Sequence, residues 1–304
     1  MEFLRVLESI RNPVLNVLMQ LITYCGEETV FMLTALVIFW CINKREGYYI
    51  LSVGFIGTIL SQFLKLLYRV PRPWVLDSNF TIVESARSGA TGYSFPSGHT
   101  QNAVGTFGGI ARWTKKTGIR WAMIALAVLI SFSRMYLGVH TPLDVGVGFA
   151  IAVVLVLVLY PILRKTEQSP KTMYIFLGVL LVISLGYVLF VNFFPFPADM
   201  DAENYAEGVK NSYSLLGALL GLLVSYHLDE TKFHFKEDAP LLGQILKVVL
   251  GLVLILGIRI GLKALFGLIS DGLYWNALRY FCMVVFAGVL WPMSFPRFQK
   301  LGKR

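Results

Sequence analysis

Charge and cysteine are both scarce in this chain of 304 residues. Only 15% of its residues are Asp, Glu, Lys or Arg, against about 25% in an ordinary soluble domain. With a mean hydropathy of +0.65, that scarcity excludes a water-soluble globule. The three cysteines, Cys25, Cys41 and Cys282, show no metal-like spacing and fall in or beside apolar segments. A disulfide framework and a cysteine-based metal site are therefore excluded, and free thiols are expected. The start, Met1-Glu2-Phe3-Leu4-Arg5, lacks a basic stretch followed by an apolar core, so no cleavable signal peptide is expected. There is no internal repeat. Acids are fewer than bases, 18 against 27, giving a net charge of +9. In so apolar a chain that excess reads as loop Lys and Arg at an anionic bilayer surface, and nucleic acid is not an expected partner.

What is abundant is hydrocarbon: 56% of the residues are hydrophobic. The chain reads as an all-α polytopic membrane protein with about nine transmembrane helices, counted against the ~20 apolar residues that a span needs. The apolar runs lie at residues 30–42, 47–66, 99–113, 120–138, 142–163, 172–194, 210–227, 241–267 and 274–292. Residues 1–26 read as an amphipathic segment, with Phe3, Leu4, Leu7 and Ile10 set against Glu2, Arg5, Glu8 and Arg11, and Pro13 interrupting. Such a helix lies on the membrane surface or packs on the bundle. Residues 27–165 form a core, and residues 166–304 a C-terminal transmembrane extension. Lys44 and Arg45, the 112–120 loop, the 164–171 loop and the tail with Arg297, Lys300, Lys303 and Arg304 fall on one side, which the positive-inside rule makes cytoplasmic. Trp40, Trp113, Trp121 and Trp291 then fall at inner helix ends, and Trp74 and Trp275 at outer ends, as in aromatic belts.

Against this background three polar segments stand out. The turn Ser133–Asp144 places Arg134, His140 and Asp144 between two apolar runs, where charged groups are costly and by default functional. Thr141-Pro142-Leu143-Asp144 reads as a helix start, with Thr as N-cap, Pro at the first position and an acid at the third. Asp144 would then reach back to the His140 imidazole, and a carboxylate-oriented His is a nucleophile or a base. Pro96-Ser97-Gly98-His99 precedes another helical run, where backbone N–H groups attract anions. Lys65 and Arg72-Pro73 lie at the outflow of an earlier helix. Three cations, a helix start and two histidines make a site for phosphoryl transfer.

Lys65-x6-Arg72-Pro73, Pro96-Ser97-Gly98-His99 and Ser133-Arg134-x5-His140-x3-Asp144 resemble, in order and spacing, the three signature motifs of the type 2 phosphatidic acid phosphatase family, whose superfamily also holds glucose-6-phosphatase and the vanadium haloperoxidases. The resemblance covers residues 27–165 and implies a six-helix phosphatase core. It also implies roles: His140 as nucleophile forming a phosphohistidine, Asp144 holding its other nitrogen, and His99 as acid and then base. Lys65, Arg72, Ser97, Gly98 and Arg134 would bind the phosphate. No cofactor and no metal are implied. By residue type His99, His140 and Asp144 would make a His/His/Asp metal set, but three cations crowd them and no fourth ligand is evident.

The expected function is metal-independent hydrolysis of a lipid phosphate monoester or diphosphate on the extracytoplasmic face, in a bacterial inner or plasma membrane. The partner is a membrane lipid substrate, and the sequence does not speak to oligomeric state. The alternatives are a sugar-phosphate phosphatase of the glucose-6-phosphatase kind, suggested by Arg72-Pro73-Trp74-Val75-Leu76-Asp77; a lipid phosphotransferase; and an inactive lipid-binding or transport protein. The 77–94 loop, with Asp77, Glu84, Arg87 and Ser88, is expected to shape substrate entry. Arg259, Lys263 and Arg279 in the extension either line a vestibule for an anionic head group or snorkel to the interface. His227 and His234 read as structural.

Overall fold

The computed structural model describes residues 1–166, 168–270 and 272–301. Lys303 and Arg304, assigned above to the basic tail, lie outside the described residues. Every regular element among the described residues is helical. In chain order these are α1 (Glu2–Ser9), α2 (Pro13–Tyr24), α3 (Glu28–Val37), α4 (Lys44–Tyr68), the short α5 (Pro73–Leu76), α6 (Gly98–Ala103), α7 (Gly109–Trp113), α8 (Thr117–Tyr136), α9 (Pro142–Thr166), α10 (Pro170–Phe193), α11 (Ala202–Leu228), α12 (Leu241–Gly267), α13 (Tyr274–Val285) and α14 (Phe295–Gln299). A π-helical turn over Val104–Gly108 joins α6 to α7.

Six of these segments are long and apolar enough to cross a membrane, and the bent pair α2 plus Glu28–Ile42, with a 48° angle between its halves, raises the number to seven. The expected count of nine is therefore not reached by length and composition. The run from α6 to α7 begins inside the motif loop and is too short. α11 is long enough, but Asn211, Ser212 and Ser214 near one end and Ser225, Tyr226 and His227 near the other dilute its apolar stretch. Pro13, expected to interrupt a single amphipathic helix, instead opens α2, its fixed φ suiting a first helical position.

The chain divides into two compact units. The first comprises Met1–Ala35 and Tyr48–Ile162. Its centre is built where α6, the π turn, α8 and α9 meet, from Ala103, Val104, Phe107, Ala127, Ile130 and Ala152. Between hydrocarbon-solvated helices there is no hydrophobic drive to associate, so close approach through small residues matters more than bulk. A second cluster, Val83, Ala86, Ala90, Tyr136, Leu137 and Val139, fastens the 77–94 loop onto the end of α8. α1 packs beside it through Leu4 and Leu7 on Phe80. Arg5 pairs with Asp77 at 2.6 Å, and Arg11 Nε donates to the Tyr136 carbonyl at 2.9 Å. The outward face of α1 remains apolar, with Phe3, Val6 and Ile10 exposed.

The second unit comprises Leu36–Gly47 and Leu163–Arg304. In it α11 lies so close to α13 that a Cβ on Gly217 would stand 1.9 Å from the Ala277 carbonyl oxygen, and one on Gly221 2.8 Å from that of Phe281. Such contact requires glycine. Lys247 of α12 is wholly buried. Its Nζ donates to the Trp40 carbonyl at 2.8 Å and the Glu237 carbonyl at 2.7 Å, and lies 4.4 Å from the Phe295 ring centroid. A buried ammonium keeps its charge only with such partners. The Trp40 indole donates to the Ala287 carbonyl. Trp40 and Trp291, read above as belt residues, are thus buried packing residues. Lys44 pairs with Asp229 at 2.6 Å.

Candidate active site

All three motifs belong to the first unit, and the fold brings them to one end of it. Lys65 sits in the last turn of α4, Arg134 in the last turn of α8, Ser97 at the N-cap of α6, and Asp144 in the first turn of α9. The helix start expected at Thr141 is present as a reciprocal cap. The Asp144 N–H donates to Thr141 Oγ1 at 3.2 Å, and the Thr141 N–H donates to Asp144 Oδ2 at 2.7 Å. The motifs are also tied to one another through the backbone. The Ser97 N–H donates to the Asp144 carbonyl at 3.0 Å, and the Ser94 N–H to that of Val70 at 2.8 Å. α9 approaches so closely that a Cβ on Gly148 would stand 2.7 Å from the Ser97 carbonyl oxygen.

Arg72 and His140 are both buried, and Arg72 is committed on three sides. Its Nε donates to the Gly92 carbonyl at 2.9 Å, Nη2 to that of Thr91 at 2.6 Å, and Nη1 to that of Val139 at 3.0 Å. Nη1 also lies 2.9 Å from His140 Nε2. Nη1 is also 3.5 Å from Nδ1, so the guanidinium lies across the ring and not on the Nε2 lone-pair axis. Ser94 and Asp144, on the Nδ1 side, are the acceptors that favour a proton on Nδ1. That tautomer leaves the Nε2 lone pair available for attack. Burial holds the His140 pKa well below its ordinary value of 6.5, and Arg72, Arg134 and Lys65 push it the same way. The ring is therefore neutral at physiological pH, as a nucleophile must be.

Asp144 and His140 are close but not directly bonded: Nδ1 to Oδ2 is 3.6 Å, beyond hydrogen-bond reach. Ser94, fully buried, stands beside both. Its hydroxyl donates to Asp144 Oδ2 at 2.6 Å and lies 3.4 Å from His140 Nδ1. Sequence reasoning missed this residue, because it lies in an irregular loop and is placed by the Val70 contact.

Lys65, Arg72, Gly98, His99 and His140 line one cavity of about 190 Å³, together with Glu28, Thr58, Ser61, Gln62, Gly89, Thr91, Gln101 and Asn102. Gly89 and Thr91 come from the 77–94 loop, whereas Asp77, Glu84, Arg87 and Ser88 are not among the lining residues. Asp77 instead holds Arg5, and Glu84 holds Arg87. Ser97 supports the cavity from behind as the cap of α6, accepting from the Thr100 hydroxyl at 3.0 Å. Arg134 Nη1 donates to Thr23 Oγ1 of α2 at 2.7 Å, a partner no motif announced. Arg134 Nε and Nη2 and His99 Nε2 are buried without a hydrogen-bond partner. The two orphaned Arg134 donors are costly, and an oxyanion is the ligand that satisfies them. Among the described residues no group of three His, Cys, Asp or Glu side chains is arranged to hold a metal ion.

In the second unit Arg259 and Lys263 are exposed on α12. Arg279 donates to Asn276 Oδ1 at 2.8 Å, and His227 Nδ1 lies 2.8 Å from the Tyr174 hydroxyl.

An all-helical chain with membrane-spanning helices and a buried, cation-lined imidazole defines a class, the integral membrane phosphatases. The chain belongs to the PAP2 superfamily, whose model matches residues 45–168; the model for the transmembrane extension of PAP2 superfamily phosphatases matches residues 213–304. Phosphatidylglycerophosphatase B of Bacillus subtilis is 32% identical over 160 residues, covering 48% of this chain and 74% of that protein. Undecaprenyl-diphosphatase BcrC of the same organism is 29% identical over 146 residues, 47% of this chain and 72% of that protein. Sphingosine-1-phosphate phosphatase 1 of Mus musculus is 25% identical over 272 residues, covering 83% of this chain but 61% of its own length.

Proposed function

We propose that the chain hydrolyses a lipid phosphate monoester or diphosphate through a phosphohistidine at His140, without a metal, on the extracytoplasmic face. The observation that carries this reading is the cavity that His140 shares with Lys65, Arg72 and His99, with Ser94 and Asp144 on the Nδ1 side of the ring and Nε2 left for attack. Nε2 attacks phosphorus while the Nδ1 proton stays toward Ser94 and Asp144, which stabilise the imidazolium as charge develops. Burial and the cations Arg134, Lys65 and Arg72 hold the His99 pKa down; the negative charge of the entering phosphate offsets them, so that His99 takes up a proton and passes it to the departing oxygen. It then takes one from the water that cleaves the phosphorus–nitrogen bond. Lys65, Arg72 and Arg134, with the Gly98 N–H, spread the charge of the equatorial oxygens. They supply the positive charge that a metal contributes elsewhere.

A lipid substrate is supported by the names of the relatives, which specify undecaprenyl diphosphate, phosphatidylglycerophosphate and sphingosine 1-phosphate. The orientation is supported by basic residues at the other ends of the motif-bearing helices: Lys44 and Arg45, Arg112 to Arg120, and Arg164 and Lys165.

The test is phosphate release by purified protein in detergent with excess chelator. The panel is phosphatidic acid, phosphatidylglycerophosphate, undecaprenyl diphosphate, a sphingoid phosphate and glucose 6-phosphate. Turnover of a lipid that persists with chelator and disappears in His140→Ala is expected. Activity retained by His140→Ala would remove the phosphohistidine, and turnover of glucose 6-phosphate alone would remove the lipid.

A further inference from the structure

The cavity wall carries a second pattern, of which phosphoryl transfer uses only Lys65. Thr58, Ser61, Gln62 and Lys65 all line it. They recur at i, i+3, i+4 and i+7, the spacing that aligns side chains on one helix face. α6 contributes Gly98, Gln101 and Asn102 to the same cavity. Seven residues of helix span about 10 Å, so the polar lining continues that far from Lys65 into an otherwise apolar span. Gln101 is 2% exposed, and its Nε2 is buried without a hydrogen-bond partner. It fits against α4 because residue 57 is glycine: a Cβ there would stand 1.7 Å from that nitrogen. The volume of about 190 Å³ is roughly the liquid share of six waters. Five covalently bonded phosphate atoms pack more tightly than that and leave space over.

Building on the phosphatase reading above, we propose that this stripe is a leaving-group subsite. Ser61, Gln62, Gln101 and Asn102 hydrogen-bond a hydroxyl- or amine-bearing part of the alcohol next to the ester oxygen. In-line attack by His140 sends the leaving oxygen to the opposite side of phosphorus, where His99 protonates it. Gln101 and Asn102 follow His99 on the same helix, so the alcohol's nearest substituents meet them. An alkyl chain in that place leaves the Gln101 amide unsatisfied. A second phosphate is disfavoured as well. The lining cations, Lys65 and Arg72, serve the first phosphate.

The experiment measures kcat/KM of the full chain in detergent on three substrates. These are a 1-acyl-glycerol 3-phosphate with a free hydroxyl beside the ester carbon, an alkyl phosphate of matched length, and farnesyl diphosphate. The ratio of the first to the second is expected to be about tenfold or more, as for a site built to hydrogen-bond a substrate hydroxyl. It should fall close to one in Gln101→Leu, and again in Gly57→Ala, which displaces the same amide from the neighbouring helix. A ratio of rates is independent of how much protein is folded. A wild-type ratio near one, or one that survives both substitutions, overturns the subsite while leaving the phosphatase reading intact. A preference for the diphosphate that these variants abolish means that the stripe holds a phosphate, and overturns the proposal too. No release from any of the three overturns both readings.

Discussion

Removing the Ser94 hydroxyl tests how the imidazole is held. Asp144 and His140 are 3.6 Å apart, so a direct carboxylate–imidazole bond does not account for the orientation of the ring. The Ser94 hydroxyl spends its proton on Asp144 Oδ2 at 2.6 Å, which leaves its oxygen lone pairs toward the Nδ1 proton. A hydrogen bond to a charged group, here the imidazolium Nδ1–H donating to Ser94 Oγ, is worth about 1.5–3 kcal/mol. At about 1.4 kcal/mol per decade, Ser94→Ala should lower kcat roughly 10- to 150-fold if that bond supports the charged imidazolium of the transition state. Ser94 is not among the cavity-lining residues, so KM should change little. The assay is initial-rate phosphate release across substrate concentration, with a thermal melt of the same preparation as the control for folding. A folded variant whose kcat lies within threefold of wild type would refute the relay and leave Asp144 acting on His140 only through the field of its charge.

Three further expectations follow from the same geometry. Arg134→Lys should reduce kcat/KM by about two orders of magnitude, because a point ammonium cannot hold Thr23 and also present a planar fork to phosphate; near-wild-type rates would mean that Arg134 only braces α2. For His140 the folded pKa lies well below 6.5, so between that depressed value and 6.5 the unfolded chain binds more protons. Stability is therefore lost as pH falls below about 6.5. The thermal midpoint should drop from pH 7.5 to pH 5, with a shallower slope in His140→Asn; equal slopes in the two proteins would contradict the assignment. Gly148→Ala drives a Cβ against the Ser97 carbonyl, which is backbone and cannot swing aside, so kcat should fall at least tenfold, and unchanged turnover would show that α6 is free to shift.

The local features of the site were readable because each rests on short-range chemistry. The cap at Thr141 and Asp144 needs only four residues in order, and the Ser97 cap is similarly self-contained. The participants that escaped are placed by distant chain. Ser94 depends on Val70, and Thr23 reaches Arg134 from a helix more than a hundred residues away. Gln101 acquires meaning only against the gap at Gly57. The polar stripe from Thr58 to Lys65 was periodic enough to be seen, but an apolarity scan averages it into its span. The same averaging bears on the count of spans, which length and composition put at six or seven among the described residues. An apolar run alone does not show that α11 packs its small and polar residues against a neighbouring helix. Nor does it separate an interfacial tryptophan from Trp40, whose indole is spent on a backbone carbonyl.

The placement of Leu36–Gly47 in the second unit bears on how such a chain can be taken apart. A polypeptide ending after residue 166 would keep that segment and lose what encloses it. Trp40 would forfeit its carbonyl acceptor at Ala287, and Lys44 its carboxylate at Asp229. The C-terminal half is therefore not a detachable accessory. An effort to graft it onto a smaller relative has to carry Leu36–Gly47 along.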